Sequence, residues 1–367
     1  MLDACELAPS NIRGIAPYQP GKPVSDLARE MGLEEATIVK LASNENPMGT
    51  SALAQGAIST QLQELARYPD GNGFDLKQAL CAHYRVRPEQ VVLGSGSNDV
   101  LELVARAFLT RSTSSVYSQH AFVVYPLATQ VAGAVGIEVP ARAFGHDLAG
   151  MAAAVREDTR VLWIANPNNP TGTFAPAGQV QALLAQVPRS VIVVLDEAYH
   201  EYLPDPLRID SLRWLDDHPN LIVTRTFSKA YGLAGLRVGF GVARPEICDL
   251  LNRVRLPFNV NSLAQAAAIA ALRDQEFVQR SRRVNDEGMR QLIRGFERLH
   301  LDYIPSVGNF VTVRVGDAGP VYQRLLRQGV IVRPVGAYGL PEYLRVTIGT
   351  ESENARFLQA LEAVLHA

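Results

Sequence analysis

The chain has 367 residues, of which 47% are hydrophobic and 20% are charged, and its formal net charge is −2. This length exceeds one ordinary core and predicts either two domains or one large and one small domain. Because lysines and arginines are dispersed and balanced by acids, we expect no nucleic-acid partner. No segment approaches the roughly 18 consecutive apolar residues of a membrane helix, so we expect no membrane partner either.

The cysteines and the N-terminus bear on the cellular compartment. Cys5, Cys81 and Cys248 are isolated from one another and odd in number, which indicates neither a disulfide framework nor a metal site. The first residues have no basic stretch followed by an apolar one, so they do not predict a signal peptide. These features suit a reducing cytosol, and we expect a cytoplasmic protein without a bound metal.

Residues 1–45 have the pattern of an N-terminal arm. The proline-rich segment Pro17–Pro23 is incompatible with a helix or a central strand. A short helical pattern follows from Val24 to Met31. The repetitive part of the chain therefore begins farther on, near residue 74.

From there, apolar runs alternate with helical patterns. Helices are predicted at Asp75–Tyr84 and over Val100–Phe108, where apolar residues recur at i, i+3, i+4, i+7 and i+8. Apolar runs without alternation, typical of strands buried on both faces, are Val91–Leu93, Val161–Ala165, Val191–Leu195, Leu221–Val223 and Val238–Val242. Such strands interleaved with helices indicate an α/β fold with a largely parallel sheet covered on both faces.

The pattern changes after residue 260. Leu263–Leu272 is alanine-rich and helical, and Phe277–Arg298 has the pattern of a long charged helix. The segments that follow show a stronger apolar–polar alternation. They predict strands at Phe310–Val315, Val330–Val335 and Leu344–Ile348, and a helix near Val321–Gln328. We therefore expect a smaller α+β domain, and divide the chain into an arm (1–45), a large domain (46–260) and a small domain (261–367).

The first of four motifs that follow predicted strands is the glycine-rich segment Gly94–Asp99. In a doubly wound sheet the loops at the carboxyl ends of the strands form the ligand crevice, so the order of these motifs matters. Glycines allow a ligand to approach the backbone, and amides at a helix N-terminus attract phosphate. The segment departs from a dinucleotide fingerprint because Asp99 stands where the third glycine would be. A glycine turn with an asparagine or aspartate N-cap is the alternative.

The second and third motifs offer polar and charged groups. In Asn166–Gly172, prolines bracket two asparagines, which gives either a simple turn or a stiff loop that holds an amide for a phenolate oxygen. Asp196 directly follows an apolar run and, once buried, needs a cationic partner such as a protonated pyridine nitrogen. A helix N-cap or an acidic magnesium loop is the alternative. Tyr199 could add a second donor to the phenolate.

Lys229 is the centre of the fourth motif, Thr226–Ala230. A lysine at the end of a buried strand is costly to desolvate unless its pKa falls, and only the neutral amine attacks an aldehyde. Ser228 and Thr226 offer hydroxyls, and Arg237 a planar fork, to a phosphate. The alternatives are a solvated loop lysine and an arginine paired with a carboxylate.

Together the motifs supply, in sequence order, the groups that pyridoxal phosphate (PLP) requires. They are a phosphate cradle, a phenolate donor, a carboxylate for the ring nitrogen and an amine for the aldehyde. Phe122 stands where its ring could stack on the pyridine face, although a lone aromatic could equally belong to the core. The motifs therefore predict a PLP site at the carboxyl edge of the sheet.

On these residues the chain resembles the fold-type I, class II PLP-dependent aminotransferases, and within them the histidinol-phosphate aminotransferase group. The resemblance covers nearly the whole length. Its motifs are Leu41–Pro47, Arg67–Gly71, Asn168–Gly172, Asp196–Tyr199, Ser228–Ala230, Leu233–Gly239 and Leu344–Gly349. It implies a large domain with a mostly parallel seven-stranded sheet between helices, a smaller α+β C-terminal domain, and a homodimer whose active site is shared across the interface. The arm would contribute to the small domain and to the dimer contact.

The resemblance also implies cofactor roles for matching residues. Lys229 would be the Schiff-base lysine and Asp196 would pair with the pyridinium. Asn169 and Tyr199 would bind the phenolate, and Phe122 belongs to the same expected site. Residues expected at the cofactor phosphate are Gly96, Ser97, Asn98, Thr226, Ser228, Arg237 and, from the other subunit, Tyr68.

The substrate residues follow from the same resemblance. Arg345 matches the arginine that grips the acidic group of the substrate, a carboxylate in glutamate or 2-oxoglutarate and a phosphate in histidinol phosphate. Arg333 and Tyr18 would assist at that phosphate, and Asn44 is expected to contact substrate, as is Asn169. The loop Pro334–Pro341 resembles one subgroup of the family and leaves aromatic amino acids open as additional donors.

The expected activity is a PLP-dependent, ping-pong transfer of the amino group between L-histidinol phosphate and 2-oxoglutarate in histidine biosynthesis. An aromatic-amino-acid aminotransferase or a phosphothreonine decarboxylase would share the scaffold. A nicotinamide oxidoreductase is disfavoured by the broken glycine fingerprint. A silent PLP-binding regulator is disfavoured because the arm is too short and too proline-rich for a helix-turn-helix.

Overall fold

The computed structural model describes residues 4–17 and 20–366. The helices are α1 (Ala4–Leu7), α2 (Ser10–Arg13), α3 (Val24–Met31), α4 (Ala52–Gln61), α5 (Phe74–Tyr84), α6 (Ser97–Phe108), α7 (Val124–Val131), α8 (Leu148–Ala153), α9 (Ala177–Gln186), α10 (Pro245–Val254), α11 (Ser262–Arg273), α12 (Gln275–Arg298), α13 (Ala318–Arg327) and α14 (Glu351–Leu365). The strands are β1 (Val39–Lys40), β2 (Val91–Gly94), β3 (Ser114–Ser118), β4 (Val135–Val139), β5 (Thr159–Ala165), β6 (Ile192–Asp196), β7 (Leu221–Thr226), β8 (Gly239–Ala243), β9 (Tyr303–Ile304), β10 (Phe310–Arg314), β11 (Val330–Ile331), β12 (Arg333–Pro334) and β13 (Tyr343–Thr347).

The large sheet has seven strands in the order β2-β8-β7-β6-β5-β3-β4. The strands β7, β6, β5, β3 and β4 are parallel, whereas β8 runs antiparallel to both of its neighbours. Successive side chains of β5 pack on opposite faces: Val161 and Trp163 lie in one apolar cluster, and Leu162 and Ile164 in the other. Both faces are therefore buried, which explains the unbroken apolar runs and confirms the predicted largely parallel sheet.

Helices cover the two faces of this sheet in separate layers. One apolar cluster contains residues of α4, α5, α8, α9 and α11, and the other contains residues of α6, α7 and α10.

Two strands of the large sheet were not predicted from the apolar pattern of the sequence. Ser114–Ser118 is rich in serine, and Val135–Val139 forms an edge strand whose residues are mostly exposed. Neither strand has the composition of a buried central strand.

The C-terminal part contains a four-stranded antiparallel sheet in the order β12-β13-β10-β9. Its apolar cluster is formed with α12, α13 and α14, as predicted for an α+β unit. The strand β1 pairs in parallel with β11, and Leu27 of α3 packs with Leu326 and Ile331. The N-terminal segment therefore adds strand and core residues to the C-terminal unit, which supports the proposed contribution of the arm to it.

The predicted helices α3, α5, α6, α11, α12 and α13 are present, and none of their ends differs from the prediction by more than three residues. Pro17 and Pro20–Pro23 lie outside helices and strands.

The division into arm, large domain and small domain stays a proposal. Ala264 and Ala267 of α11 belong to the core beneath the large sheet, so packing favours a boundary after this helix. In the part of the chain that the structure describes, every helix is too short or too polar to cross a bilayer.

Candidate active site

A cavity of about 210 Å³ lies at the carboxyl ends of β5, β6 and β7, where the large sheet faces the C-terminal sheet. This is the edge at which the motifs were predicted to converge. The predicted residues that line it are Asn44, Ser97, Asn98, Phe122, Asn169, Asp196, Tyr199, Thr226, Ser228, Lys229, Arg237, Arg333 and Arg345. The structure therefore brings these side chains around one space.

Two predicted residues, Gly96 and Tyr68, are not part of that lining. Gly96 lies behind it with a φ of 86°, and a Cβ atom there would collide with the Arg237 guanidinium, so the position requires glycine. Tyr68 is 82% exposed and lies outside the cavity of its own chain. Tyr18 lies outside the described residues.

Asp196 ends β6 and is a buried acid held by neutral hydrogen-bond donors. Its Oδ2 accepts a hydrogen bond from the Tyr125 hydroxyl at 2.9 Å, and its Oδ1 accepts one from the Thr224 hydroxyl at 2.9 Å. Burial raises the pKa of Asp196 to about 6, against the lowering effect of these hydrogen bonds. It makes no salt bridge within residues 4–17 and 20–366. A cation in the cavity would supply the partner that this carboxylate lacks.

Lys229 presents an amine to the same space. Its Nζ donates a hydrogen bond to the Ser43 carbonyl at 3.2 Å and lies 5.8 Å from the centre of the Tyr199 ring. Desolvation lowers the pKa of Lys229 to about 8, and the charges of Arg345 and Arg237 act in the same direction. A larger share of this amine is therefore neutral near pH 7 than in an exposed lysine, as nucleophilic attack on an aldehyde requires.

One side of the cavity is the start of α6. The helix begins at Ser97, directly after Gly96, and Ser97 and Asn98 line the cavity, so the N-terminal end of the helix lies at this wall and suits an anion. Arg237 donates to the Ser228 hydroxyl at 3.1 Å, and that hydroxyl also accepts from Thr226 at 3.0 Å. Amides, hydroxyls and a guanidinium together suit a phosphate.

Asp99 has a separate, structural task in this loop. Its Oδ2 accepts from the Ser95 amide at 2.9 Å and from the Asn259 side chain at 2.7 Å. The residue that broke the dinucleotide fingerprint therefore stabilises the loop.

The opposite wall carries two neutral donors and a buried arginine. Arg345 is 6% exposed, donates to Asn169 Oδ1 at 2.5 Å and to the Ala42 carbonyl at 2.7 Å. The Tyr199 hydroxyl accepts from Asn44 Nδ2 at 2.9 Å. Burial raises the pKa of Tyr199 to about 12, while the charge of Arg345 opposes the rise. Tyr199 is therefore a neutral donor at physiological pH, and Arg345 is a fixed positive charge near the cavity.

These groups fit a compound with a phosphate, a phenolate oxygen and a cationic ring nitrogen. The phosphate side, the neutral donors and the acid without a cation face one cavity, and the amine lies among them. This is the arrangement that the motifs predicted for PLP.

Sequence reasoning missed several residues at the site. Tyr125 and Thr224 hold the Asp196 carboxylate, but Tyr125 lies in an apolar helix that has the pattern of core. Tyr338 and Ser43 also line the cavity. Tyr338 lies in the loop Pro334–Pro341 that the sequence had singled out, and the apolar–polar pattern gives no other signal for it.

The sequence and fold of this chain match a known protein family. The profile of the family described as aminotransferase class I and II matches residues 36–361. The histidinol-phosphate aminotransferase of Methylobacillus flagellatus is 61% identical over 98% of both chains. Histidinol-phosphate aminotransferase 2 of Nitrosospira multiformis is 58% identical over 99% of this chain and 93% of its own. The crystal structure of histidinol-phosphate aminotransferase from Sinorhizobium meliloti in complex with pyridoxal-5'-phosphate superposes with a TM-score of 0.90, at 30% identity and 97% coverage of each chain.

Proposed function

The chain belongs to the class I and II aminotransferases, and from this premise we propose that it transfers the amino group of L-histidinol phosphate to 2-oxoglutarate with PLP as cofactor. The products are imidazole acetol phosphate and L-glutamate, and the reaction belongs to L-histidine biosynthesis. One observation carries the proposal: Asp196, Lys229 and Arg345 face one cavity in a chain that matches relatives of this activity over nearly its whole length.

The cofactor residues proposed from the sequence agree with the chemistry of the cavity. PLP, when bound, supplies an aldehyde that receives the amino group and a ring that takes up electrons from the substrate. Asp196 would face the ring nitrogen, and Asn169 and Tyr199 would face the phenolate oxygen. The phosphate would be held by Gly96, Ser97, Asn98, Thr226, Ser228 and Arg237, and Phe122 would cover the ring.

Lys229 would perform the proton transfer. Its Nζ would be the amine that holds the aldehyde of PLP, and when it is released it would accept the proton from the substrate Cα. The lowered pKa keeps the released amine partly neutral near pH 7, which a base requires. In this structure Nζ donates a hydrogen bond to the Ser43 carbonyl at 3.2 Å, which holds it near the cavity.

Arg345 would bind the acidic group of either substrate. Its guanidinium is buried above the Phe310 ring, 5.4 Å from the ring centre, so its charge is only weakly screened by water. A planar fork suits both the carboxylate of 2-oxoglutarate and the phosphate of histidinol phosphate. Arg333 also lines the cavity, and with Tyr18 it would assist at the phosphate. Asn44 would contact substrate from the same wall.

The other activities considered are less well supported. Aromatic-amino-acid transamination and phosphothreonine decarboxylation would use the same cofactor residues, but the relatives that match nearly the full chain are histidinol-phosphate aminotransferases. A nicotinamide oxidoreductase does not account for Lys229 with its lowered pKa beside an acid that lacks a cation. A silent PLP-binding regulator would keep these residues, but the relatives that match nearly the full chain are aminotransferases. We also propose a cytoplasmic location, as the cysteine pattern suggests.

A side-by-side donor assay tests the substrate. Purified enzyme with PLP and 2-oxoglutarate is given L-histidinol phosphate, phenylalanine, tyrosine or O-phosphothreonine in parallel. We expect the largest kcat/KM for L-histidinol phosphate, because Arg333 and Arg345 both line the cavity and a phosphate can engage two guanidinium groups. A larger kcat/KM for an aromatic amino acid would replace the substrate while keeping the transaminase.

We further propose a homodimer whose active site is shared. Large apolar side chains are exposed close to Tyr68: its ring stacks on Phe258 at 4.7 Å, and Phe258 is 46% exposed. Leu65 and Leu256, near these two in sequence, are also exposed. A monomer rarely exposes so many apolar groups together, and a second copy would cover them. Tyr68 would then reach the cofactor phosphate of the other subunit.

A mixing experiment tests the shared site. The Lys229→Ala and Tyr68→Ala variants are purified separately, unfolded together and refolded as a mixture. In a mixed dimer, one of the two sites receives both an intact Lys229 and an intact Tyr68, so activity should recover to about a quarter of the wild-type level for random pairing. Activity no greater than that of the separate variants would contradict the shared site.

A further inference from the structure

A buried chain of hydrogen bonds joins the C-terminal sheet to the cavity wall. It runs from Thr347 on β13, through Asn44, to Tyr199, which follows β6. All three side chains are at most 4% exposed, so water does not compete for their hydrogen bonds. Each buried donor and acceptor in this chain therefore needs a hydrogen-bond partner, which constrains how the protons are placed.

The assignment of donors begins from a backbone amide. The Asn44 N–H, which can only donate, bonds to Thr347 Oγ1 at 2.9 Å. The threonine proton is then left to donate, and Asn44 Oδ1 lies 3.1 Å away to accept it. With Oδ1 engaged, the Asn44 side chain turns its Nδ2 to the Tyr199 hydroxyl, at 2.9 Å.

The direction of this chain determines what Tyr199 can do. Because its oxygen accepts from Asn44, its own proton is available to a group in the cavity. If the Asn44 amide turned over, Oδ1 would accept the Tyr199 proton and the cavity would lose that donor.

We infer that Thr347 is a positioning residue that fixes the Asn44 amide and thereby aims the Tyr199 proton into the cavity. The inference rests on the proposed function, in which Tyr199 donates to the phenolate oxygen of PLP.

The backbone of Asn44 is held in place, so the orientation of its side-chain amide is the main conformational freedom that remains. Its φ is 55°, a left-handed value that asparagine tolerates, and its carbonyl accepts from the Asn309 side chain at 3.0 Å. The Thr347 amide in turn donates to the Leu41 carbonyl at 2.9 Å. The main chain is therefore held from both sides, and the hydroxyl of Thr347 selects between the two amide orientations.

The same strand orients the second phenolate donor. Arg345, two residues before Thr347 on β13, donates to Asn169 Oδ1. A guanidinium only donates, so it holds that oxygen and leaves Asn169 Nδ2 to face another acceptor. One strand of the C-terminal sheet therefore sets the direction of both amides that serve the phenolate position.

The test uses the PLP-loaded enzyme and the pH midpoint of its visible absorption, which reports how strongly the phenolate form is stabilised. The Thr347→Val variant removes the hydroxyl and keeps the side-chain shape. Losing one phenolate donor should raise the midpoint by about one pH unit, since a hydrogen bond contributes about as much as one pKa unit. Thr347→Ser keeps the hydroxyl and should keep the wild-type midpoint. The charged and titratable groups near Tyr199 include Arg345, Asp196, Tyr338, Lys229, Tyr125 and Tyr202, and no variant alters them.

Two further variants make the result specific. Tyr199→Phe should raise the midpoint at least as much as Thr347→Val, and the double variant should rise no further than Tyr199→Phe alone. Thr159→Val removes another buried threonine hydroxyl, which contacts Ser114 at 2.9 Å far from the cavity, and should leave the midpoint unchanged. If Thr347→Val does not fold, Thr347→Ala takes its place in every comparison.

The outcomes separate the inference from the proposed function. A shift in Tyr199→Phe without a shift in Thr347→Val overturns the inference and leaves the function standing. Additive shifts in the double variant, or an equal shift in Thr159→Val, also overturn the inference. No shift in Tyr199→Phe overturns the phenolate role of Tyr199 and the inference with it. The affinity of the apo protein for PLP gives a second readout that does not depend on activity. A lower affinity in Thr347→Val, but not in Thr347→Ser, supports the inference.

Discussion

Two consecutive carboxylates at the end of β6 have opposite surroundings. Glu197 is 2% exposed, and its Oε2 accepts from Arg225 Nε at 3.0 Å and from Nη2 at 2.8 Å. The Arg225 guanidinium also lies over the Tyr84 ring, 5.0 Å from its centre. Asp196, one residue earlier, is also buried, but its hydrogen bonds come from neutral donors, the hydroxyls of Tyr125 and Thr224 and the Ala198 amide.

The difference separates a structural acid from a functional one. Successive residues of a strand point to opposite sides, so Glu197 meets the packed interior while Asp196 meets the cavity. The chain neutralises Glu197 with its own arginine, and Glu197 therefore has no charge to offer a ligand. Asp196 is held in place by neutral donors, and its charge is left for a cation that the folded chain does not supply. Burial alone would not have distinguished the two.

The largest expected effect is on the cavity side, in Lys229→Ala. Removing the amine that would move the substrate proton should lower kcat by roughly 10⁴-fold or more. The protein should still take up PLP, because the phosphate and ring contacts remain. Steady-state kinetics with L-histidinol phosphate measure the loss, and near-normal turnover in this variant would refute the assigned base.

On the packed side, Glu197→Gln should mainly reduce stability. It leaves the buried Arg225 without its carboxylate, which should cost about 3–5 kcal/mol of unfolding free energy. The fraction that remains folded should keep most of its kcat, since Glu197 does not line the cavity. Urea unfolding followed by circular dichroism measures the first effect. Wild-type stability in this variant would show that the pair with Arg225 is not what holds Glu197.

Asp196→Asn should show the reverse pattern. The charge opposite the ring nitrogen is lost, so kcat should fall by roughly 10²- to 10³-fold, as when a preorganised electrostatic group is removed. Stability of the apo protein at pH 7 should not fall, because burial already disfavours the ionised carboxyl. Parallel kinetics and unfolding of the Asp196→Asn and Glu197→Gln variants give the comparison directly. Equal losses of stability in both would remove the distinction between the two acids.

The smallest expected effect is a pH dependence of apo stability. The pKa of Asp196 in the folded state, about 6, exceeds its ordinary value of 3.8, so the folded protein binds this proton more tightly than the unfolded chain. Its contribution is therefore fully present below about pH 4 and is lost as the pH rises through 6. The unfolding free energy of apo Asp196→Asn, measured relative to wild type, should therefore rise by up to about 3 kcal/mol between pH 4 and pH 7.

Unfolding at several pH values, with and without PLP, checks this dependence. The rise in unfolding free energy of Asp196→Asn should be smaller in the PLP-loaded protein, where a cation would stabilise the ionised carboxyl of the wild type. A gain that is independent of pH would contradict the raised pKa.

Much of the site could be predicted because motifs at the carboxyl ends of buried strands must converge. Asp196 directly follows an apolar run, and Lys229 lies three residues after the end of the next strand, which begins with one, so their positions needed no knowledge of distant contacts. Their supporting residues could not be found in this way. Tyr125 reaches Asp196 from a helix 71 residues earlier, and Thr224 reaches it through the pairing of β6 with β7. Sequence pattern does not specify which neighbour lies across a sheet.

The fold shows the same limit in its edge strands and long-range contacts. The pattern missed β3 and β4 because serine and exposed positions hide the apolar signal. Asn44 and Thr347 lie 303 residues apart and contact each other because the N-terminal segment packs on the C-terminal unit, where β1 pairs with β11 and the Thr347 amide donates to the Leu41 carbonyl. Neither residue has a local pattern that would reveal the other.

The most direct measurement is the visible spectrum of the purified protein before and after addition of L-histidinol phosphate. We expect bound PLP to absorb near about 420 nm and this band to convert to one near about 330 nm as the cofactor takes the amino group. That result would establish cofactor and donor together. A colourless protein that takes up no added PLP would contradict the account of Asp196 and Lys229, and a band that responds only to phenylalanine or tyrosine would contradict the substrate.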